Sequence, residues 1–576
     1  MAGVFTRKAA WAASSLLGAF VVAGATAAAP VPASPPRLAR NGQAIQLMVD
    51  GRPYLMLAGE LGNSSASSVQ DMAPKWARLK AIGLNTVLTP VYWEQIETQP
   101  GQFDFSGLDG LIQGARGERL HLVLLWLGAW KNSQSSYVPA WIKRDQARYP
   151  RIRRADGEAE EVLSPLAPAT LEADRRAFVA LMAHLKTADP QHTVLMVQVE
   201  NEVGMIPEAR DHSAPAEVAF DGPVSGRLLA YLAAHRESLT PEVRGAWESH
   251  GGRASGTWRE VFGEGALTDE IFSAWNFAAY IQHLAEAGKA ADPLPMYVNA
   301  ALIRPGRTPG RYPSGGPLPH LIDVWKAGAP ALDMLSPDLY FPNFGPWTRP
   351  YDRPDNPLFV PEAENAGSQR APANALFAFG ALKAMGFSPF AIDGVGVERL
   401  RDLQGLYGVL AEIGPELSAA QARGDVIGFE SPASYDGVPI YEPQVFEMGD
   451  VEIEVSFPAA GGTSAAAPVA APGAPGDTAA SAQGGATAKP VYGGLVIRRG
   501  PRDFLVAGQG VVVAFRRPSA SDHAKLGIDS LTEGHFADGA WVAERRLNGD
   551  QSNQGRYLRF APDAVGLQRV TLYDYK

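Results

Sequence analysis

The 576-residue sequence contains no cysteine at all. This absence excludes a disulfide framework and any metal site built on thiolates, which are the usual supports of small exported domains. A chain of this length has enough apolar material, 46% of its residues, to be held together by core packing alone. Two or three domains are the expectation for such a length.

The sequence is also poor in positive charge and in cofactor motifs. Its net charge of −10 argues against nucleic acid or an anionic membrane as the main partner. No phosphate-binding loop, cluster of metal ligands or Ser/His/Asp set is visible, so we expect neither a cofactor nor a metal. The 12 Trp and 17 Tyr suit the binding of sugars, but they suit the building of cores equally well.

The N-terminal stretch has the pattern of a targeting segment. Arg7 and Lys8 precede an apolar, alanine-rich run, and small residues then fit a cleavage rule at Ala27 or Ala29. The pattern predicts a signal peptide over residues 1–29 and an exported protein, periplasmic or secreted. An uncleaved membrane anchor is the alternative, and no later segment has the pattern of a membrane span.

Residues 38–424 alternate between short apolar runs and helix-like segments or long connections. The runs are nearly continuous in apolar residues, which is typical of strands covered on both faces. Eight such strands with helices between them predict an α/β fold, a (β/α)₈ barrel. The runs span 54–60, 84–93, 120–128, 193–200, 295–300, 333–340, 357–362 and 388–394.

The last part of the chain, residues 425–576, changes to β-like runs separated by turn residues, which predicts an appended β-sandwich. Within it, residues 459–490 are almost entirely Ala, Gly, Pro, Ser and Thr. Such a segment buries too little apolar surface to offset its ordering entropy. We interpret it as a disordered insertion in a hairpin, because β-like runs lie on both sides.

Polar and aromatic side chains gather where the predicted strands end, which is the substrate-facing end of such a barrel. Acids and amides at almost every strand end would be a costly way to close an inert barrel. For Glu94, Glu97 and Asp338 we favour loop caps or solvated charges, and for Trp126 and Trp130 core packing is the alternative. The candidates are Glu60, Tyr92, Trp126, Trp130, Asn132, Glu200, Asn201, Glu202, Asn299, Tyr340, Glu362 and Glu364.

Carboxyl groups on the fourth and seventh strands are the decisive pair. These strands lie on opposite sides of a barrel, so their side chains can face each other across a gap. Retaining glycosidases need this arrangement, with one carboxyl protonating the leaving oxygen and the other attacking the anomeric carbon. The acid must stay protonated near neutral pH, and burial beside an anionic nucleophile raises its pKa.

Several motifs resemble glycoside hydrolase family 35, the β-galactosidases. "VQVENEVG" (197–204) resembles that family's "QxENEYG" signature, and "GRPYLMLAGELGNSS" (51–65) resembles its first strand. "LKAIGLNTVLTPVYWEQIETQPGQFDFSGLDGLI" (79–112) follows its second strand and next helix, and "VPAWI" (138–142) resembles a motif after its third. The resemblance covers the barrel, about two thirds of the chain.

The resemblance implies roles for these residues. Glu202 would be the acid/base, Glu362 the nucleophile, with Glu364 as its rival, and Tyr340 a hydrogen-bonding support of the nucleophile. Asn201 would bond the sugar 2-hydroxyl. Glu200 has two open interpretations, one as a ligand of a galactose hydroxyl and one as a structural group beneath the site.

Three positions depart from the family pattern: Pro90 replaces a tyrosine, the third-strand loop "WLGAWKNSQSS" lacks an acid, and "PEAEN" replaces "TEFW". These positions shape sugar recognition in the family, so the mechanism is better defined than the sugar. We expect an exported retaining β-galactosidase acting on plant-type oligo- or polysaccharides. The alternatives are another retaining glycosidase of the same clan (a β-glucosidase, an arabinosidase or an endo-glycanase) and a carbohydrate-binding barrel without activity. The sequence leaves the oligomeric state open.

Overall fold

The computed structural model describes residues 1, 3, 34–303, 305–457, 490–518, 525–537 and 539–576. The predicted signal peptide and nearly all of the predicted disordered insertion lie outside these described residues. Within them, no helix combines the length and the apolar character that crossing a membrane requires.

Eight parallel strands form one sheet, in the order β7-β6-β5-β4-β3-β2-β1-β8. Bridges between Val360 and Phe387 and between Asn365 and Phe390 join β7 to β8 and close the sheet into a barrel. The predicted (β/α)₈ fold is therefore confirmed. The strands are β1 Met56–Glu60, β2 Thr86–Tyr92, β3 His121–Lys131, β4 Val194–Asn201, β5 Met296–Ala301, β6 Met334–Leu339, β7 Glu362–Ala363 and β8 Gly386–Phe387.

Burial on both faces explains why these runs become strands. Every residue of β1, β2, β4 and β6 is buried, as continuous apolar runs require when helices cover the outside. The last two strands differ from the prediction. Strand β7 pairs mainly at 362–363, at the end of the predicted run. Strand β8 ends before the predicted 388–394, of which Ile392–Gly394 form a 3₁₀ turn.

Helices connect successive strands and cover the barrel, and a further helix follows β8. Shorter helices lie in the connections that follow β1, β2, β3, β4 and β6. The main helices are Trp76–Ala81, Ser106–Gly117, Pro168–Ala188, Ala266–Ala291, Ile322–Gly328, Ala371–Ala381 and Arg401–Arg423. The shorter ones are Val69–Met72, Trp93–Ile96, Ala140–Arg144, Ala214–Asp221, Gly226–Ala234, Pro241–Ser249, Trp258–Phe262 and Phe344–Thr348.

Two small antiparallel sheets accompany the barrel. The first precedes β1 and contacts the last barrel helix, where the Gln46 amide donates to the Ser418 carbonyl oxygen at 2.8 Å. The second lies in the connection after β3. Their strands are Arg37–Asn41, Ala44–Val49 and Arg52–Pro53, then Arg151–Arg153 and Ala159–Leu163.

The C-terminal part forms two antiparallel sheets that share one apolar core. Phe504 and Val506 of the larger sheet pack with Ile453 and Val513 of the smaller. This is the appended β domain that the sequence predicts. The larger sheet contains Val426–Glu430, Gly493–Gly500, Asp503–Gln509, Gly566–Tyr575, Lys525–Ala537 and Ala540–Arg546, and the smaller Gln444–Met448, Val451–Ser456, Val512–Arg516 and Leu558–Arg559.

The expectation that the low-complexity segment interrupts a hairpin is wrong. The strand before it, Val451–Ser456, pairs within the smaller sheet, with 444–448 and 512–516. The strand after it, Gly493–Gly500, pairs within the larger sheet, with 426–430 and 503–509. The segment therefore connects one sheet to the other. Sequence shows β-like runs on both sides of it but carries no sign of which partners those runs choose.

The barrel and the β domain meet where two glycines touch. A Cβ added to Gly380, on helix Ala371–Ala381, would lie 2.8 Å from the Gly428 Cα and 2.9 Å from the Ile427 carbonyl oxygen. Both contacts are with backbone, which cannot swing aside. The close approach of this helix to strand Val426–Glu430 therefore depends on the absence of a side chain.

We predict that Gly380→Ala lowers the apparent melting temperature, because the overlap costs about 1–3 kcal/mol, more than the helix gains from alanine. The matched control is Gly405→Ala in helix Arg401–Arg423, where a Cβ meets nothing within 4 Å. That variant should be neutral or stabilised by up to about 1 kcal/mol. Equal shifts in the two variants, measured by calorimetry, would contradict the glycine contact.

Candidate active site

Four carboxyl groups converge at the C-terminal end of the barrel. Glu60 closes β1, Glu202 directly follows β4, Asp338 lies on β6 and Glu362 begins β7. All four are buried. One carboxylate oxygen from each of Glu202, Asp338 and Glu362 lies within 4.8 Å of the others. The structure thus brings together the predicted pair from strands four and seven.

The backbone around Glu202 is held in an uncommon conformation. Glu202 has φ of 45°, in the left-handed region that non-glycine residues seldom adopt. Its N–H donates to Asn299 Oδ1 at 2.8 Å, and its carbonyl oxygen accepts from Ser133 Oγ at 2.7 Å. The side-chain amide of Asn132 donates to its carboxyl group. These contacts aim the carboxyl group into the barrel mouth.

Glu200 has a different environment, which favours the second of its two interpretations, a structural group beneath the site. Its carboxyl group accepts hydrogen bonds from the backbone N–H groups of Gly128 at 3.2 Å, Ala129 at 2.8 Å and Trp130 at 2.9 Å. It is fully buried and faces β3 instead of the mouth. Strand β3 departs from its register with β4 between Trp126 and Lys131, so these N–H groups lack strand partners on that side. Glu200 therefore supplies the acceptors that the irregular strand needs.

Glu362 is oriented by two neighbours. The Tyr340 hydroxyl donates to Oε2 at 2.6 Å, and the Asn299 amide lies 3.5 Å from Oε1. The same amide donates to Asp338 Oδ2 at 2.7 Å. Asn299 therefore contacts three of the acids or their backbone, which fits its predicted place in the site.

The rival carboxyl, Glu364, is tied down elsewhere. Its oxygens accept from Arg370 Nε at 2.8 Å and from the Ser368 hydroxyl. Its backbone has φ of 54°, which turns it away from the strand direction. A carboxylate neutralised by an adjacent guanidinium is a poor nucleophile, so the geometry favours Glu362.

One ammonium group lies among the acids. Lys131, at the end of β3, is only 3% exposed and donates from Nζ to Asn201 Oδ1 at 2.6 Å. Its charge lowers the pKa values of Glu60, Glu202 and Asp338. Burial and the Glu362 charge raise the same pKa values by more than Lys131 lowers them. The Asn201 amide nitrogen has no hydrogen-bond partner among the described residues. It is a buried donor at the place where the resemblance puts the sugar 2-hydroxyl.

Burial and mutual repulsion keep protons on these acids. Burial, then the Glu362 charge, raises the pKa of Glu202 to about 7. The same two causes raise the pKa values of Glu60 and Asp338 well above their usual range. Glu202 is therefore half protonated near neutral pH, as a general acid that must later act as a base requires.

Three predicted aromatic ligands lie away from the acids. Trp126 is fully buried, donates to Asp174 Oδ1 at 3.0 Å and packs on Trp93. Trp130 is also fully buried and donates to the Leu163 carbonyl oxygen at 3.0 Å. Both belong to the core, so their predicted contact with substrate is wrong.

Tyr92 is 4% exposed, packs against Tyr137 and donates to the Asn63 carbonyl oxygen at 2.7 Å. Its hydroxyl group is occupied by the loop after β1. Among the described residues, Tyr92 makes no side-chain hydrogen bond to any of the four acids.

Three residues of the site escaped the sequence analysis. Asp338 was interpreted as a loop cap or a solvated charge, yet it is 2% exposed and bonded to Asn299. Lys131 stood in the third-strand loop with no assigned role. Tyr297, on β5, is buried with its hydroxyl unpaired among the described residues, and burial, followed by the charges of Glu60, Asp338 and Glu362, raises its pKa. Its only sequence signal is the alternation that sets Tyr297 and Asn299 on one face of β5.

The three close acids are hard oxygen ligands, which a divalent cation accepts. Donors already use several of these oxygens, however: Tyr340 and Asn299 on Glu362, and Asn132 on Glu202. With Lys131 also present, the arrangement suits the holding and transfer of protons.

Two family models match the sequence. Residues 46–226 match the model described as glycosyl hydrolases family 35, and residues 403–559 match a domain of unknown function (DUF5597). A curated protein named Beta-galactosidase, from Xanthomonas manihotis, is 30% identical over 203 residues. This match covers 33% of the chain and 30% of that relative.

Solved structures with a similar arrangement include a β-galactosidase from Rahnella sp. R3, 16% identical, with a TM-score of 0.42 over 63% of this chain and 57% of that one. A second, from the psychrophilic Marinomonas ef1, is 12% identical, with a TM-score of 0.44 over 63% of this chain and 61% of that one.

The barrel and its facing carboxyl groups have the arrangement that one class of protein, the retaining glycoside hydrolases, requires. The family match over residues 46–226 then confirms the resemblance found in the sequence, to glycoside hydrolase family 35.

The proton balance of the site leads to a prediction about stability. A buried acid whose folded pKa lies above its ordinary value, 4.5 for Glu60, keeps its proton in the folded state after the unfolded state has lost it. Stability then falls as pH rises above about 4.5, by up to about 1.4 kcal/mol per pH unit for each such proton. Glu60→Gln should therefore flatten the fall in unfolding free energy between pH 5 and 8.

The control is Glu94→Gln, whose side chain is 39% exposed and pairs with Lys143 at 3.3 Å. It should reproduce the wild-type slope. Urea unfolding at several pH values measures both variants, and a Glu60→Gln slope equal to that of the wild type would show that Glu60 is ionised in the folded protein.

Proposed function

We propose that the protein is an exported retaining β-galactosidase that removes terminal β-galactosyl residues from plant-type oligo- or polysaccharides. Glu202 is the acid/base and Glu362 is the nucleophile. The supports are the site geometry, the family match of residues 46–226 and the curated relative named Beta-galactosidase. The chain spans about three tenths of that relative's length in the match.

The observation that carries the mechanism is the short gap between Glu202 and Glu362. An oxygen of one lies within 4.8 Å of an oxygen of the other. Retaining enzymes hold their two carboxyl groups about 5–5.5 Å apart, whereas inverting enzymes need about 6.5–9.5 Å to admit a water between them. The gap here favours direct attack by a carboxylate.

In the first step Glu362 attacks the anomeric carbon and the bond to the leaving oxygen breaks. The Glu202 proton passes to that oxygen as the Glu362–carbon bond forms. Tyr340 holds Oε2 of Glu362 at 2.6 Å, whereas the Asn299 amide lies 3.5 Å from Oε1, so Oε1 is the less firmly held oxygen and the one that attacks. In the second step Glu202, now a carboxylate, takes a proton from water as the water oxygen bonds to the anomeric carbon. The ester bond to Glu362 breaks, which releases the sugar and restores both groups.

Unpaired polar atoms in the mouth suit a polyhydroxylated substrate. Both oxygens of Glu60 and the amide nitrogen of Asn201 are buried and have no partner within the described part of the chain. Buried polar atoms normally have hydrogen-bond partners, and each one left without costs about 1–3 kcal/mol. Sugar hydroxyl groups both donate and accept, so they can satisfy all three atoms.

We predict that Glu202→Ala abolishes most turnover of substrates with poor leaving groups, which need protonation. Aryl galactosides with good leaving groups should lose far less in the first step, and added azide should restore their turnover because it needs no general base. Steady-state rates with a leaving-group series test this. An equal loss for all substrates, with no effect of azide, would give Glu202 another role.

The nucleophile is identified by trapping. A 2-deoxy-2-fluoro galactoside with a good leaving group slows hydrolysis of the covalent ester, so mass spectrometry should find the label on Glu362 in the peptide containing "FVPEAEN". Glu364 is the internal comparison, since its carboxyl group is paired with Arg370. Label on Glu364 would reverse the assignment, and inverted product without label would refute the retaining mechanism.

The sugar is tested with a panel of nitrophenyl glycosides. The proposal expects the β-galactoside to have the highest kcat/KM, well above the β-glucoside and the α-arabinoside. A higher kcat/KM for the β-glucoside or the α-arabinoside would be consistent with the two-carboxylate mechanism but would contradict galactose as the preferred sugar.

A further inference from the structure

A short hairpin of the β domain reaches the catalytic end of the barrel. Ala433 and Pro439 form its bridge, and the Gly437 N–H donates to the Ser434 carbonyl oxygen at 2.9 Å to make its turn. Just before it, Glu430 Oε1 accepts from the Gly345 N–H at 2.8 Å. Gly345 lies in the connection that follows β6 and Tyr340. The hairpin is therefore fixed beside the site, although it belongs to the other domain.

Aromatic rings form a path from the nucleophile to this hairpin. Tyr340 donates to Glu362 at 2.6 Å. Its chain neighbour Phe341 lies 5.0 Å from the Trp347 ring and 5.3 Å from the Tyr435 ring, measured between centroids. Tyr340 is 37% exposed and Tyr435 is 38% exposed. The two ends of the path thus present ring surface to solvent, and the rings between them are half-buried.

Trp347 also lines a cavity of about 560 Å³. The cavity lies between the connections that follow β4, β5 and β6, so it is at the same end of the barrel as the acids. Ligand sites commonly have volumes of about 300–1,000 Å³. Buried Glu270 and half-buried His320, 2.8 Å apart, form part of its polar wall, while Ile303 and Leu267 are apolar. The mixture of flat, apolar and hydrogen-bonding surface matches the two kinds of face that a sugar ring presents.

We propose that Tyr435, Phe341 and Trp347 bind the sugar residues on the leaving-group side of a neutral oligosaccharide, so that the β domain takes part in choosing the substrate. The inference rests on the proposed function. The path begins at Tyr340, which contacts the proposed nucleophile Glu362. A ligand on the path therefore lies next to the sugar bound at Glu362, as the leaving-group part of the same oligosaccharide does. Aromatic faces pack against the C–H faces of pyranose rings while the hydroxyl groups remain in water.

The first test compares two substrates in Tyr435→Ala and Trp347→Ala. One is a neutral tetrasaccharide with a terminal β-galactosyl residue, and the other is nitrophenyl β-galactoside, which has only an aryl leaving group. The ratio of kcat/KM for the tetrasaccharide to that for the aryl galactoside should fall about tenfold, mainly through KM, since one ring contact contributes about that factor. Tyr435→Leu should lower the ratio similarly, because it keeps apolar bulk against Phe341 but has no flat face.

The matched control is Tyr573→Ala, an equally simple loss of an exposed ring, 49% exposed, on strand Gly566–Tyr575. It should leave the ratio at the wild-type value. An unchanged ratio in Tyr435→Ala and Trp347→Ala, with aryl galactoside still hydrolysed, would overturn this inference and leave the proposed function intact.

Binding is measured separately by calorimetry in Glu362→Gln, which cannot form the covalent ester. The tetrasaccharide should bind this variant at least about fivefold more tightly than it binds the double variant Glu362→Gln, Tyr435→Ala. Equal affinities would overturn the inference. If the wild type hydrolysed no β-galactoside, the proposed function would fail, whereas tighter tetrasaccharide binding that depends on Tyr435 would still support the path.

Discussion

The acidic end of the barrel depends on one carboxyl group that never reaches the mouth. Glu200 gathers three backbone N–H groups of β3, at Gly128, Ala129 and Trp130, where the strand leaves its register with β4. The residues that follow this irregularity are Lys131 and Asn132, the two groups that hold Asn201 and Glu202. Buried N–H groups without acceptors would be too costly to keep. The contact therefore lets a strand deviate so that its end can carry functional side chains.

Charge is the second constraint on the site. Four buried acids share one ammonium group, so they cannot all be ionised in such a place. Burial, then repulsion from Glu362, raises the pKa values of Glu60 and Asp338 well above their usual range and that of Glu202 to about 7. Tyr340 and Asn299 meanwhile donate to Glu362. The same crowding that would destabilise an inert barrel thus suits the proposed division between a proton donor and a nucleophile.

The sequence predicted the structure well where apolar and polar residues follow a regular pattern along the chain. Continuous apolar runs predicted the strands. Polar residues at the ends of those runs predicted Glu202, Asn299 and Glu362 as neighbours, because the carboxyl ends of all strands meet at one end of a closed barrel. It failed where the outcome depends on a partner distant in the chain. Trp126 and Trp130 look like sugar ligands until Asp174 and Leu163 occupy their N–H groups. Asp338 looks like a solvated charge until β5 and β7 enclose it on both sides.

The same limit explains why sequence places the β domain beside the barrel but assigns it no task. Its hairpin acts at the mouth only because the domain is docked in one orientation, through the close approach of Gly380 and Gly428 and the Glu430 contact with Gly345. Tyr435 and Phe341 are separated by more than ninety residues in the chain and by 5.3 Å in space. No local pattern records such a pairing. A cleft whose far wall comes from a second domain can change its substrate preference by altering the docking contact, while the acids that perform the chemistry stay fixed on the barrel.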